Sequence, residues 1–322
     1  MANTLAELSK IETDVLRKSV VDTLLMESNL LEMVPWETIG QLSTGVVKIQ
    51  DLPSVGWRRI NDGYEESTGT FEHEVEQVSL LGGDIDTDKA IARAKNTIAD
   101  ARAIQQNMML KAVAYHFNDR FINGDSATEK LEFNGLKKRV ARVVAEGYTD
   151  QSVDAGDIFI LADAANQHLF LDKLDELMYS VTGHQPDYLL MHRKTLLALR
   201  SLLRRAGLLN TAQDMFGRTI DMYGNTRLVD IGVKADQTSD IIPVIESTAG
   251  AATGGVASSI YAVKFGVGDL TWGIQQYPIE VEDLGQLESK PVYRTRVDWP
   301  LGLATVDPRS VGRLFNFKPA AS

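Results

Sequence analysis

The feature that most constrains the fold is a long, uninterrupted helical pattern at residues 97–121. This stretch contains neither Pro nor Gly. One apolar row runs from Met109 to Phe121 at four-residue steps, and a second row that includes Met108 and Ala112 lies beside it. Two adjacent apolar rows form a wide stripe, which predicts a helix lying on a sheet. At ~1.5 Å per residue the helix would be roughly 35–40 Å long.

The composition is typical of a globular chain without cysteine chemistry. The 322 residues suffice for one large domain or two of ordinary size. The net charge of −11 argues against tight, sequence-independent binding of nucleic acid, although a local basic patch could still touch it weakly. Cys is absent, so neither disulfides nor thiolate metal sites can form. The polar N-terminus and the lack of a long apolar run predict no secretory signal and no transmembrane helix.

Residues 44–82 have the pattern of a long arm. Strand-like runs at residues 46–49 and 75–81 flank a polar stretch with an Asp-Gly turn signal at Asp62. Acidic residues alternate on the return path: Glu72, Glu74 and Glu76. A two-stranded ribbon is marginal in water unless it lies on something. Two interpretations stay open: a surface hairpin with a solvated acidic face, or an arm that docks onto another subunit.

The remaining segments alternate between helix and strand patterns. Amphipathic helix patterns occupy residues 3–33, 158–167, 172–179 and 193–205. Strand patterns occupy residues 187–191, 220–224, 226–231, 260–265, 271–281 and 293–299. The basic triplet at 137–139 is interpreted as solvated surface, residues 249–259 as a flexible loop, and residues 316–322 as a tail.

No group of residues has the spacing that catalysis or metal binding requires. None of the five histidines has an HExxH spacing, and no nucleophile elbow or dinucleotide-binding glycine motif occurs. Asp84, Asp86 and Asp88 are spaced like calcium ligands, but the required Gly and the distal Glu are missing. The sequence therefore predicts a structural protein with no catalytic residues, no cofactor and no metal.

Four local patterns, taken in order, resemble one known family. They are Trp57-Arg58-Arg59 with Tyr64-Glu65-Glu66-Ser67; Phe121-Ile122-Asn123-Gly124-Asp125 with Phe133-Asn134-Gly135-Leu136; Gly217-Arg218-Thr219-Ile220 through Tyr223-Gly224 with residues 259–266; and residues 294–302 with Asp307-Pro308 and Arg313-Leu314. This order resembles the major capsid proteins of tailed double-stranded DNA bacteriophages (the Hong Kong ninety-seven type fold). Encapsulins share that fold.

The resemblance implies an α+β fold with four parts. These are an N-terminal arm at residues 1–45, an extended loop at 46–88, a peripheral domain with a long spine helix at 89–135 and 276–303, and an axial domain at 136–275 and 304–322. Family members often carry a Pro shortly after the glycine that matches Gly224. Asn225 and Thr226 stand there instead, which affects the expected local turn and not the fold.

The resemblance also implies which residues contact a neighbouring subunit. They are Trp57, Arg58, Arg59, Tyr64, Glu65, Glu66, Glu72 and Glu74. Trp57 and Tyr64 would be apolar anchors, and the acidic residues, with Glu76, would face basic residues of the neighbour. No Lys occurs between Lys48 and Lys89, so we expect no isopeptide cross-link through this loop.

The expected function is a self-assembling structural subunit of an icosahedral phage head. Its partners would be other copies in pentamers and hexamers, a portal, weakly contacted packaged DNA, and separate scaffolding or decoration proteins where these are used. The expected location is the virion capsid, assembled in the host bacterial cytoplasm, with no membrane contact. The alternative is an encapsulin-type nanocompartment shell.

Overall fold

The computed structural model describes residues 28–92, 101–213, 219–246 and 256–319. The described helices are α1 (Asn29–Met33), α2 (Lys89–Ala92), α3 (Ala101–Asn123), α4 (Leu136–Ala145), α5 (Ala164–Ser180) and α6 (Arg193–Ala206). Short 3-10 turns occur at Thr149–Gln151, Thr182–His184 and Pro308–Ser310. The described strands are β1 (Trp36–Thr38), β2 (Ser43–Asp51), β3 (Thr70–Gln77), β4 (Ser79–Asp88), β5 (Ser152–Phe159), β6 (Tyr188–Met191), β7 (Leu209–Gln213), β8 (Thr219–Tyr223), β9 (Thr226–Asp230), β10 (Ser258–Val263), β11 (Thr271–Gln275), β12 (Glu280–Gln286), β13 (Val292–Thr305) and β14 (Val311–Lys318).

The spine helix α3 confirms the predicted long helix. The first predicted residues, 97–100, lie outside the described residues. The helix ends at Asn123, and the N–H of Gly124 donates the last helical hydrogen bond to the carbonyl of Arg120 at 2.8 Å. A Cβ on Gly124 would collide with the carbonyl of Phe133, so only glycine fits this turn.

The two predicted apolar rows of α3 are not equally buried. Phe117 and Phe121 of the first row are buried, whereas Met108 and Ala112 of the second row are exposed. The prediction of a uniformly wide apolar stripe was therefore wrong, and the buried stripe turns towards Ala114. The first turns of α3 contact the sheet through polar side chains, so they need no apolar stripe.

An aromatic cluster joins the spine helix to the sheet beneath it. The Trp299 ring centroid lies 5.0 Å from that of Trp36 and 5.8 Å from that of Phe117. Phe133 extends the cluster, with its ring centroid 6.3 Å from that of Phe117. All four residues are buried, and they belong to the larger of the hydrophobic clusters.

The first sheet has five strands and is organised around β13. This strand is 14 residues long and pairs antiparallel with β4, β11 and β12, while β1 pairs parallel with β11. β13 runs past Pro300, where the predicted strand ended, and the strand pattern at 271–281 is interrupted around Pro278 into β11 and β12, one of the two outcomes expected for that proline. The Pro300 carbonyl accepts a hydrogen bond from the N–H of Gln276 at 3.1 Å, just beyond the end of β11.

The second sheet has seven strands in the order β5-β14-β10-β6-β9-β8-β7. It is covered on both faces, and alternate strand residues therefore enter two different cores. Leu190 and Tyr261 join the core around the spine helix, whereas Leu189 and Ile260 join a second core beneath α5 and α6. Burial on both faces explains why β6 is a continuous apolar run, as predicted.

Several predicted boundaries were wrong for local reasons. The helix predicted from residue 158 begins at Ala164, because the Asp163 side chain caps it by accepting from the Asn166 N–H at 2.8 Å. The predicted strand at 75–81 is split between β3 and β4. The predicted tail from Asn316 lies inside β14 as far as Lys318.

Other predictions are confirmed or fall outside the described residues. The helix at 193–205 and the strand pair at 220–231 are confirmed as α6, β8 and β9. The N-terminal helix pattern lies mostly in residues 1–27, and most of the predicted loop at 249–259 lies in residues 247–255.

Strand pairing suggests a revised division into domains. We propose that the peripheral domain includes β4, which the predicted boundaries placed in the extended loop, because β4 pairs with β13 along its whole length. We propose the same for β11, which the boundaries placed in the axial domain. The extended loop is then the two-stranded ribbon of β2 and β3 with its connecting segment.

Candidate subunit interface

The ribbon formed by β2 and β3 has two chemically different faces. Directly opposed residues of antiparallel strands point to the same side, and successive residues alternate. The register pairs Thr44 with Glu76, Val46 with Glu74 and Lys48 with Glu72, and these six residues define the inner face. Gly45, Val47, Ile49, Phe71, His73 and Val75 define the outer face. Val46, Lys48 and Glu76 are buried, so the inner face lies on the body of the same chain.

The inner face is held by a buried ion pair between Glu76 and Arg139 of α4. The Arg139 guanidinium donates to both carboxylate oxygens of Glu76, at 2.5 and 3.0 Å. It also donates to the carbonyls of Asn134 and Leu303, at 2.9 and 2.6 Å. Arg139 is only 1% exposed, which corrects the interpretation of the triplet at 137–139 as solvated surface. Because every charge is paired and hydrogen-bonded, burial is tolerated here.

A second ionic cluster lies around Glu74, two residues before Glu76 in β3. Glu74 accepts from Arg142 of α4 and pairs with Lys48 at 2.5 Å. Burial would raise the pKa of the Glu74 carboxyl, but the hydrogen bond from Lys48 and the charge of Arg142 outweigh it, so the pKa lies below its usual value. Glu74 and Glu76 thus pair with basic residues of their own chain, and their contact with a neighbouring subunit stays a prediction.

The lowered pKa of Glu74 gives a prediction for pH dependence. A carboxyl whose pKa is depressed in the folded state stabilises that state above its ordinary pKa of 4.5. This stabilisation is lost as pH falls through the lower, folded-state pKa. We therefore expect the ribbon to loosen in acid as Glu74 loses its charge beside Lys48, Arg142 and Arg139.

The measurement is hydrogen exchange of the ribbon amides, divided by the unstructured rate at each pH, from about pH 6 to pH 3. In wild type the ratio should rise towards low pH. Glu74→Gln should already have a raised ratio at the upper end and a flatter profile. Identical profiles for the two proteins would contradict the assignment.

The outer face is apolar and exposed, and sequence reasoning missed it. Four of its side chains are at least half exposed: Val47 at 50%, Ile49 at 65%, Phe71 at 74% and Val75 at 54%. A contiguous apolar patch of this kind is unusual on a monomeric protein and indicates an interaction site. The signal lay in the register, because Ile49 and Phe71 are directly opposed.

The segment that connects the two strands, residues 52–69, is exposed throughout. Its turn forms at Arg59, whose carbonyl accepts from the Asp62 N–H at 3.2 Å, with Asn61 in the left-handed region. The turn therefore comes slightly earlier than the predicted Asp62-Gly63 signal. The Arg58 guanidinium lies over the Tyr64 ring at 5.2 Å from its centroid, and Trp57 is fully exposed.

The predicted interface residues consequently fall into two groups. The connecting segment carries most of them, all exposed: Trp57, Arg58, Arg59, Tyr64, Glu65 and Glu66. Glu72 and Glu74 lie apart from these, on the inner face of β3. Contact of these residues with a neighbouring subunit stays a prediction.

Aspartates with calcium-like spacing are engaged in ion pairs. Asp84 and Asp86 receive bidentate hydrogen bonds from Arg296 and Arg294, at 2.7 to 2.9 Å. The hydrogen bonds from these arginines lower the pKa of both carboxyls. Among the described residues, no group of three or more His, Asp or Glu is placed to hold a metal ion. In the same part of the chain, no helix is long and apolar enough to cross a membrane.

Comparison with known families gives one match. The sequence model of the family described as major capsid protein GP7 matches residues 13–159, just under half of the chain. This segment includes the ribbon, the spine helix and α4. No curated protein sequence matches the chain significantly.

Three solved structures that share the fold are distant from this chain in sequence. The holo-SrpI encapsulin complex from Synechococcus elongatus is 17% identical, with 91% of this chain and 88% of that chain covered at a TM-score of 0.63. The capsid of a native GTA particle, computed with C5 symmetry, is 13% identical, with coverages of 91% and 90% and a TM-score of 0.61. A chain of Mycobacterium phage Bobi is 13% identical, with coverages of 91% and 89% and a TM-score of 0.57. The chain therefore has the capsid fold of tailed bacteriophages, and its predicted resemblance to their major capsid proteins is confirmed.

Proposed function

We propose that this chain is a structural major capsid protein that self-assembles through pentamers and hexamers into the icosahedral head of a tailed bacteriophage. The observation that carries the proposal is the exposed apolar outer face of the ribbon, on a fold that other proteins use to build shells. The GP7 family match supports the phage assignment. Family and fold together favour a structural role over an enzymatic one.

The occupant of the outer face is a second copy of the same chain. A ribbon that projects from one subunit and lies on the next makes a heterologous contact, and such contacts close into rings when the rotation allows. Val47, Ile49, Phe71 and Val75 would supply apolar contact area. Trp57 and Tyr64 of the connecting segment would act as aromatic anchors.

Charge on the connecting segment would set the register of this contact. Glu65 and Glu66 of this segment are exposed and would face basic residues of the neighbour. An exposed ion pair contributes only ~0–1 kcal/mol, so the shell would depend on many repeated contacts. The apolar face accordingly carries more of the expected contact energy than the charges.

Further partners follow from the same proposal. The head would enclose phage DNA, and the net charge of −11 suits a shell that contacts DNA weakly and non-specifically. Assembly would take place in the host bacterial cytoplasm and would involve a portal and, where used, separate scaffolding and decoration proteins.

The second candidate is an encapsulin-type nanocompartment shell. It is favoured by the structural similarity to the SrpI encapsulin complex, whose TM-score is comparable to that of the GTA capsid. Fold similarity alone does not separate the two candidates. The sequence match to a phage capsid family favours the phage head.

The test is to purify the chain expressed alone, measure its mass in solution and image the same sample by electron microscopy. Closed shells, or rings of five or six subunits, support a shell-forming role. A monomer or dimer that never assembles at high concentration or with added scaffolding protein would contradict it. Nuclease-treated particles from the natural source then distinguish the candidates, because a phage head protects DNA whereas a nanocompartment contains an enzyme.

A further inference from the structure

The ribbon is attached to its own chain by more than apolar packing. Val46 of the inner face packs in a small cluster with Trp272, Ile274 and Ala304 of the first sheet. The carbonyl of Gln77, at the end of β3, lies so close to Gly302 that a Cβ there would approach it to 2.7 Å. These contacts fix where the ribbon leaves the body, and they lie at its base.

Charged contacts hold the same end of the ribbon, where Glu74 pairs with Val46 and Glu76 with Thr44 in the register. We propose that Arg139 and Arg142 of α4 are positioning residues that hold the ribbon at the angle at which its outer face docks on a neighbouring subunit. The proposal rests on the shell function proposed above and goes beyond it, because it assigns a role to two residues inside the same chain.

The geometry supports control of direction because the contacts form two points along a line. Arg139 and Arg142 are three residues apart, so they lie on the same face of α4. Their partners Glu76 and Glu74 are two residues apart on β3, so they lie on the same face of the strand. With a single ion pair the strand could still rotate about that contact. Two pairs along β3 restrict rotation of the ribbon relative to α4.

The chemistry of the first pair also favours positioning. The planar guanidinium of Arg139 holds the Glu76 carboxylate with two parallel hydrogen bonds, which fixes orientation as well as distance. The same side chain is anchored to the Leu303 carbonyl of β13, so it ties together α4, β13 and β3. A buried ion pair is commonly no more stabilising than apolar residues of similar size. What it adds is a defined geometry.

The experiment measures the direction of the ribbon in single subunits. The chain has no native Cys, so Thr68→Cys on the ribbon and His168→Cys on α5, both exposed, can be spin-labelled without background. Electron–electron double resonance then gives the distribution of distances between the labels. Samples are dilute and are checked by mass to contain unassembled subunits.

Three variants are compared with wild type in this background. Glu76→Leu with Arg139→Met replaces the buried pair by apolar residues, and Arg142→Met removes the second pair. Lys173→Met is the matched control, because it breaks an exposed ion pair with Glu176 at 2.7 Å on α5, remote in sequence from α4 and the ribbon. Thermal melts show which variants are folded, and Arg142→Met carries the comparison if the double variant does not fold.

We expect folded variants of the Glu–Arg pairs to give a shifted distance distribution at least about twofold broader, and to assemble at least about tenfold more slowly. Lys173→Met should match wild type in both. A wild-type distribution in the folded double variant would overturn the proposal, as would a broadened distribution with unchanged assembly. If wild type itself never assembles, the shell function fails, and the spin-label comparison decides whether the arginines hold the ribbon.

Discussion

Replacing Ile49 and Phe71 by Asp is expected to abolish shell assembly while leaving a folded subunit. The two residues are directly opposed on the outer face and are 65% and 74% exposed, so in the single subunit the new carboxylates remain in water. The cost there is a modest repulsion between like charges on neighbouring strands. In an interface formed by this face, both carboxylates would be buried without partners. That weakens each contact by at least about 3 kcal/mol, a factor of more than about 100 in its association constant.

The measurement is particle mass in solution together with electron micrographs, with circular dichroism to establish that the variant is folded. The matched control is Ile49→Val with Phe71→Leu, which keeps the face apolar and should still assemble. Normal shells from the aspartate variant would show that another surface of the ribbon, or none, contacts the neighbour. Loss of assembly in both variants would show that the contact depends on the shape of these side chains as well as on their polarity.

The same face shows where sequence reasoning succeeded and where it failed. The alternation of Glu72, Glu74 and Glu76 correctly indicated an acidic face on the return path, because side chains of a strand point alternately to two sides. It left open whether this face is solvated or docks onto another subunit, and neither interpretation placed it against the same chain. Here the polar face meets Arg139 and Arg142, so the charged residues point inwards and the apolar residues remain exposed.

A local signal for this inversion was present in α4. Arg139 stands within the apolar stripe formed by Leu136, Val140 and Val143, at helical spacings of three and four residues. An arginine inside such a stripe is buried, and a buried arginine needs an anion. The identity of the anion could not be read from the sequence, because Glu76 lies 63 residues away and β3 also carries Glu72 and Glu74.

The spine helix was predictable because its signal does not depend on distant residues. Its signal is local: a run without Pro or Gly and an apolar row at four-residue steps require no knowledge of distant contacts. The first turns of α3 deviated because their partners are polar groups of the sheet, such as Thr295 with Gln106 at 3.3 Å. β13 was predicted to end at Pro300 because proline lacks the N–H that a strand donates. A proline is tolerated where no neighbouring strand needs that donor, and this depends on tertiary structure.

The second large effect is expected from Trp299→Ala, which is compared with a second single substitution, Trp57→Ala. Trp299→Ala should lower the stability of the isolated subunit by about 3–5 kcal/mol, because it removes a fully buried ring packed between Trp36 and Phe117. It also removes the indole N–H that donates to Gln275 Oε1 at 3.1 Å, and Gln275 is itself completely buried. For a chain of this size we expect the melting temperature to fall on the order of 10 °C.

Trp57→Ala is the matched control, because it deletes the same side chain from the exposed connecting segment of the ribbon. Since the Trp57 ring has no cover in the single subunit, its removal should leave the melting temperature unchanged and reduce assembly. Thermal unfolding of unassembled subunits, followed by the assembly measurement, separates the two residues. Equal melting temperatures for wild type and Trp299→Ala would contradict the role given to the aromatic cluster. Unimpaired assembly of Trp57→Ala would remove Trp57 from the interface and leave the contact to the outer face.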